Sequence, residues 1–159
     1  MEHKKLSRLL IAVLAGVFCC LVAVYGFAVP YFGNRFARFY PEFSGWYLPW
    51  LIFLSLTALP CLAILCCGLK IARSIGKNDT FSFQNASLLK SIALLVAGDV
   101  LFFFAGDLVL LCMNMSHPAI LLASLLILFG GLALAIVFFV LSRLVEQAAR
   151  LREENDLTI

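Results

Sequence analysis

Two carboxylic acids, Asp99 and Asp107, each close an Ala-Gly-Asp triplet (Ala97-Gly98-Asp99 and Ala105-Gly106-Asp107) inside the otherwise apolar stretch from Ser87 to Cys112. A charged carboxylate at the centre of a bilayer costs at least roughly 2.5–3.5 kcal/mol, so a helix carrying two must turn them toward protein, water or a proton. Eight residues of α-helix separate them by about 12 Å along the axis and about 80° around it, so they line adjoining faces. Three chemistries fit. Asp99 has no Lys, Arg or His at its depth, and as a neutral acid it can donate to the Leu56 carbonyl that Pro60 leaves without its amide partner. Alternatively, Asp99 and Asp107 are stations for a proton or cation, with Ser55, Thr57 and Ser124 at the depth of Asp107 and Arg35 or Arg38 reaching it from the adjacent loop. The third is a hydrogen bond between subunits of an oligomer.

Enzymatic chemistry finds no footing. His3 and His117 lie at the N-terminal tail and in a connection, giving no nucleophile–base pair, and no glycine-rich loop suits a phosphate. Cys19, Cys20, Cys61, Cys66, Cys67 and Cys112 all fall within or at the end of apolar segments, where thiols serve as small packing residues, and they lack paired CxxC spacing. The expectation is a protein that is not an enzyme and holds no metal or cofactor.

The elements that must position the two acids are membrane spans. Of 159 residues, 64% are hydrophobic and 13% charged, with a mean hydropathy of +1.04, against roughly 45–50% and 25% in soluble domains. Apolar runs over 9–29, 48–71, 87–112 and 119–141 are each long enough to span a bilayer. A signal peptide is the weaker reading of the first, because its 21 uncharged residues exceed an ordinary signal core. Ala12, Gly16 and Cys20 form one small-residue strip and Gly131 with Ala135 another, both suited to close helix contact.

Between the first two spans, Phe32, Phe36, Phe39 and Phe43 recur at helical spacing while Arg35 and Arg38 fall off that stripe, which predicts a short amphipathic helix in the membrane interface. Residues 142–159 continue the fourth span as a charged helix with i,i+4 pairs at Glu146–Arg150 and Arg150–Glu154. Ten of the twelve Lys and Arg residues fall on the side of both termini and two, Arg35 and Arg38, on the other. Both termini are therefore expected in the cytoplasm. The fold class is all-α: a four-transmembrane-helix bundle, one integral membrane domain, N-in/C-in, with an interfacial helix in the first extracytoplasmic loop.

Two stretches carry a family resemblance. Gly76-Lys77-Asn78-Asp79-Thr80-Phe81-Ser82-Phe83-Gln84-Asn85-Ala86, running into Leu89-Lys90-Ser91-Ile92-Ala93, and the tail from Glu146 to Leu157-Thr158-Ile159 resemble the bacterial YoaS-like family labelled domain of unknown function 2975. The resemblance covers nearly the whole chain and implies four spans with a Gly-x-x-Phe-Ser-like inner loop, without an assigned activity. It also implies a partner at the cytoplasmic face, since such proteins are often encoded beside a small helix-turn-helix regulator.

The expected function is that of a regulatory or sensory protein of the bacterial cytoplasmic (inner) membrane. Lys77, Phe81, Arg150, Glu154, Leu157 and Ile159 are the candidate contacts for a cytoplasmic protein partner, no direct contact with nucleic acid is expected, and the chain is expected to self-associate. The alternative is a small proton- or cation-coupled transporter or channel using Asp99 and Asp107. Tolerance to a membrane-active peptide, met by the aromatic loop, is a third reading.

Overall fold

The computed structural model describes residues 2–77 and 79–156, without the side chains of Glu2, Pro41, Glu42, Phe43 and Asp156. The side chain of Phe43 and the whole of Leu157 and Ile159, expected at contact surfaces, therefore lie outside what is described. The described chain is all helical: α1 (Glu2–Leu21), a π-helical segment (Val22–Ala28), α2 (Val29–Phe39), a 3₁₀ helix (Pro41–Trp46), α3 (Tyr47–Gly76), α4 (Phe83–Cys112) and α5 (Pro118–Asp156). Four helical stretches are long and apolar enough to cross a membrane: 3–39, 44–76, 83–112 and 118–155.

The expected amphipathic helix forms as α2, but as a direct continuation of α1 and not as a separate element. Its cause is local. Pro30 has no amide, and its ring would crowd the carbonyl of Gly26 in a regular α-helix. The chain widens into π geometry just before it, where the Val29 amide reaches the Val24 carbonyl. The helix then ends at Phe39, two residues before Pro41.

The helices pack in chain order. At Cα separations of 8 Å or less, α1 approaches α3, α3 approaches α4 and α4 approaches α5, while α1 and α5 make no such approach among the described residues. The expected bundle is thus an open row at that separation. The first turns of α1, the last turns of α5 and the α3–α4 connection share one end of the row, here the termini end. The opposite end carries α2, the 3₁₀ helix and the α4–α5 connection.

Small and hydroxylated residues set the close approaches, as they must where lipid supplies no hydrophobic drive between helices. The Ser7 hydroxyl donates to the Ala72 carbonyl at 2.7 Å, joining α1 to α3. The Ser142 hydroxyl donates to the Ala86 carbonyl at 2.7 Å, joining α5 to α4. Gly131 of α5 lies directly against Val100 of α4, and Ala135 is buried one turn on, so that strip behaves as expected. The other does not. Ala12, Gly16 and Cys20 are exposed, and a Cβ added at Gly16 would meet nothing within 4 Å among the described residues, because α1 packs on α3 through Ser7 and Leu14 instead.

Candidate functional site

At the termini end the α3–α4 connection is bound by one side chain. Asn85, 2% exposed, shares the two hydrogens of its Nδ2 among three acceptors, the carbonyls of Asp79 and Thr80, both at 2.9 Å, and Ser74 Oγ at 3.1 Å. The Ser74 hydroxyl donates in turn to the Asp79 carbonyl at 2.8 Å. Ser82, and neither Asn85 nor Ser87, is the N-cap of α4: its Oγ accepts from the Asn85 amide. Across this loop lies the last part of α5, where Arg152 pairs with Asp79 at 3.6 Å. Lys77, Phe81, Arg150 and Glu154 are exposed, and Arg150 also pairs with Glu146 at 3.1 Å. A cleft of about 370 Å³ separates loop from helix, lined by Phe81, Phe83, Asp79, Arg152 and Glu153 among others.

Midway along the helices the structure gathers four polar groups from three elements. The Thr57 hydroxyl donates to the Leu54 carbonyl at 2.8 Å, so its oxygen must accept the 2.9 Å hydrogen bond it shares with Tyr25. Tyr25 comes from the π-helical segment, whose wider turn carries it to α3. One turn further on, the Cys61 thiol donates to Asp99 Oδ2 at 3.7 Å. Asp99 thus meets Cys61 and not the Leu56 carbonyl. Its Oδ1 is buried without a partner among the described residues.

Asp107 is separate from this cluster and fully buried at 0% exposure. The Ser116 hydroxyl donates to its Oδ1 at 2.7 Å, while Oδ2 is buried without a partner among the described residues. The α4–α5 turn makes this possible. Asn114 adopts a left-handed φ of 61°. Its amide reaches the Leu111 carbonyl at 2.9 Å and that of Met115 reaches the Leu110 carbonyl at 2.8 Å, the Schellman arrangement that reverses the chain and swings Ser116 under the helix end. The Trp50 indole N–H donates to the Met115 carbonyl at 2.7 Å, tying the turn to α3. His117 then caps α5, its Nδ1 accepting from the Ala119 amide at 3.2 Å.

Several expected site residues sit elsewhere. Arg35 does not reach Asp107. Its guanidinium donates to the Tyr31 hydroxyl at 2.9 Å and lies over the Tyr31 and Phe39 rings of its own helix. Arg38 and Phe39 line a shallow cleft with Tyr31, Asn34 and Arg35 on the same face. Ser55 is exposed and bonds only the Leu51 carbonyl one turn back. Ser124, 1% exposed, bonds the Leu121 carbonyl of its own helix. Of the polar residues grouped by depth, only Thr57 joins a tertiary hydrogen bond. Thr57, expected at the depth of Asp107, stands instead one turn from Cys61, which meets Asp99; a count of residues along a helix does not give its rotation toward a neighbour. Tyr25, Cys61 and Ser116 were missed for the same reason, although a serine closing a two-helix turn near a buried acid is a signal that could have marked Ser116.

Beside Ser116 opens a cavity of about 880 Å³, between α2, the start of α3 and the α4–α5 turn. Phe36, Trp46, Tyr47 and Trp50 supply its aromatic wall, Leu51, Leu54 and Leu111 its aliphatic one, and Asn114, Met115, Ser116 and His117 its polar end. Gly33 lets α2 lie flat on Tyr47, whose ring would stand 2.8 Å from a Cβ there. Phe32, Phe36 and Phe39 are exposed on α2.

These features define a class: an integral membrane protein of four apolar helical spans, with one buried and one half-buried acid held by hydroxyl and thiol donors and an apolar cavity at one end. The chain belongs to the family described as Protein of unknown function (DUF2975), whose model matches residues 31–159. It is similar to the uncharacterized membrane protein YoaS of Bacillus subtilis (strain 168), 31% identical over 143 residues that cover 87% of this chain and 88% of that protein. No solved structure matches.

Proposed function

We propose that this is a non-enzymatic regulatory or sensory protein of the bacterial cytoplasmic membrane, with both termini in the cytoplasm and α2 at the external interface. The observation that carries the reading is α5. It runs unbroken over 39 residues, from Pro118 on the cavity rim to the segment in which Arg152 meets Asp79 of the α3–α4 loop. A stiff rod fixed at both ends can transmit a small displacement at the cavity to the opposite face. The loop around Lys77 and Phe81, with the α5 end around Arg150 and Glu154, is the output surface, and a small helix-turn-helix regulator is its partner. Self-association through the open face of α1 completes the assembly.

The test is co-purification of full-length protein with such a regulator from a mild detergent, with and without residues 150–159. Loss of the regulator on truncation is the expected result; unchanged recovery sinks the proposal.

A second reading, a proton- or cation-coupled transporter, draws on the oxygens of Asp99 and Asp107 that have no partner among the described residues. Its test is flux into proteoliposomes, which Asp99→Asn and Asp107→Asn should each change. Equal flux in wild type and both variants leaves the acids a structural role only.

A further inference from the structure

We infer that the cavity beside Ser116 binds a lipophilic primary ammonium ion, its amine seated at Ser116 and its apolar body against the aromatic wall. The inference begins with a single proton. A serine hydroxyl has one hydrogen, and that of Ser116 is committed to Asp107 Oδ1 at 2.7 Å. Toward the cavity, which Ser116 lines, its oxygen therefore offers lone pairs only. Met115 O, beside it, accepts the Trp50 indole N–H and keeps a second lone pair. Behind Ser116 stands Asp107, 0% exposed, with Oδ2 unpartnered among the described residues.

At Ser116 and Met115 that end of the cavity presents acceptors backed by an acid; Asn114 and His117 beside them also carry N–H donors, and no Lys or Arg is among the lining residues. An –NH₃⁺ group carries three donors and no acceptor. Phe36, Tyr47 and Trp50 add aromatic rings, whose faces attract cations. A neutral alcohol of the same length forgoes the attraction of a cation to the rings, and a carboxylate or phosphate seated at Ser116 and Met115 would face acceptors with an acceptor. At about 880 Å³ the space falls within the range of roughly 300–1,000 Å³ that holds small ligands. The inference uses no cytoplasmic partner, so it stands or falls independently of the regulatory reading.

Both tryptophans of the chain line this cavity, so intrinsic fluorescence reports its occupancy. Full-length protein in phosphatidylcholine nanodiscs is titrated with decylammonium and, separately, with decanol. The expected result is a saturable emission change with decylammonium and only a linear partitioning drift with decanol. Asp107→Asn should weaken the saturable phase at least tenfold. Ala37→Phe, which fills the cavity from α2 and leaves Asp107 untouched, should abolish it, with circular dichroism verifying that each variant is folded. Saturation by decanol at the same concentrations overturns the inference, as does unchanged affinity in Ala37→Phe or in folded Asp107→Asn. Quenching by brominated phosphatidylcholine that saturating decylammonium does not relieve also overturns it, and assigns the space to a lipid chain.

Discussion

At the scale of single residues, the two Ala-Gly-Asp triplets share letters and little else. A Cβ added at Gly106 would overlap the Phe53 ring. That ring is not free to leave, since it stacks on Phe103 at 5.7 Å and packs against Phe102 at 5.5 Å and Trp50 at 5.8 Å. A Cβ at Gly98 would meet nothing within 4 Å among the described residues. Gly106→Ala should therefore destabilise the purified protein by about 1–3 kcal/mol, the usual penalty of overpacking, whereas Gly98→Ala should leave thermal unfolding in the same detergent unchanged or slightly raised. Equal melting of the two variants would contradict the close packing of α3 on α4. The acids differ as well, Asp99 meeting a thiol at 3.7 Å and Asp107 a hydroxyl at 2.7 Å. Removing that hydroxyl by Ser116→Ala leaves neither oxygen of a fully buried carboxyl with a partner, a loss of about 1–3 kcal/mol. Ser55→Ala gives up only a bond within its own helix. Unfolding monitored by circular dichroism should rank the first variant well below the second.

At the scale of elements, the spans were legible and their ends were not. Uncharged runs such as Leu9 to Val29 leave a chain little choice but to cross the membrane as helix, because unpaired backbone amides are intolerable in hydrocarbon. The same logic does not say where a helix stops. Pro30 reads as a boundary on local grounds, yet the chain passes it by widening one segment into π geometry, and that widening is what delivers Tyr25 to Thr57. The α3–α4 loop was legible as a polar turn, but its lock on Asn85 was not, since three acceptors converge there only after Ser74, Asp79 and Thr80 have taken their places. Two contacts in that region should weigh very differently. The Asp79–Arg152 pair is about half exposed on both sides and is worth about 0–1 kcal/mol. Asn85 is buried and holds the loop directly. Asn85→Ala should speed tryptic cleavage at Lys77 several-fold in nanodiscs, while Asp79→Ala changes it by less than twofold. The reverse order would show that the ion pair, and not the amide, fixes the loop.

At the scale of the whole molecule, charge and helix order make one statement together. Four helices packed in sequence return the chain to the end it started from, so both termini share a face with the α3–α4 loop. Ten of the twelve basic residues, from Lys4 to Arg152, belong to that face, and Arg35 and Arg38 of α2 stand at the other. Basic residues in short loops resist translocation, and this asymmetry of ten against two outweighs either loop alone. Acidic residues do not offset it, because they contribute little to orientation. Alkaline phosphatase, which is active only after export, offers a direct reading. Fused after Ser116 it should be active, and fused after residue 159 it should be inactive, with green fluorescent protein giving the opposite pattern at the same two sites. An active phosphatase at residue 159 would invert the row. The helices, the cavity and the acids would keep their geometry, but the cavity would then open toward the cytoplasm, and α5 could no longer carry a signal inward from outside.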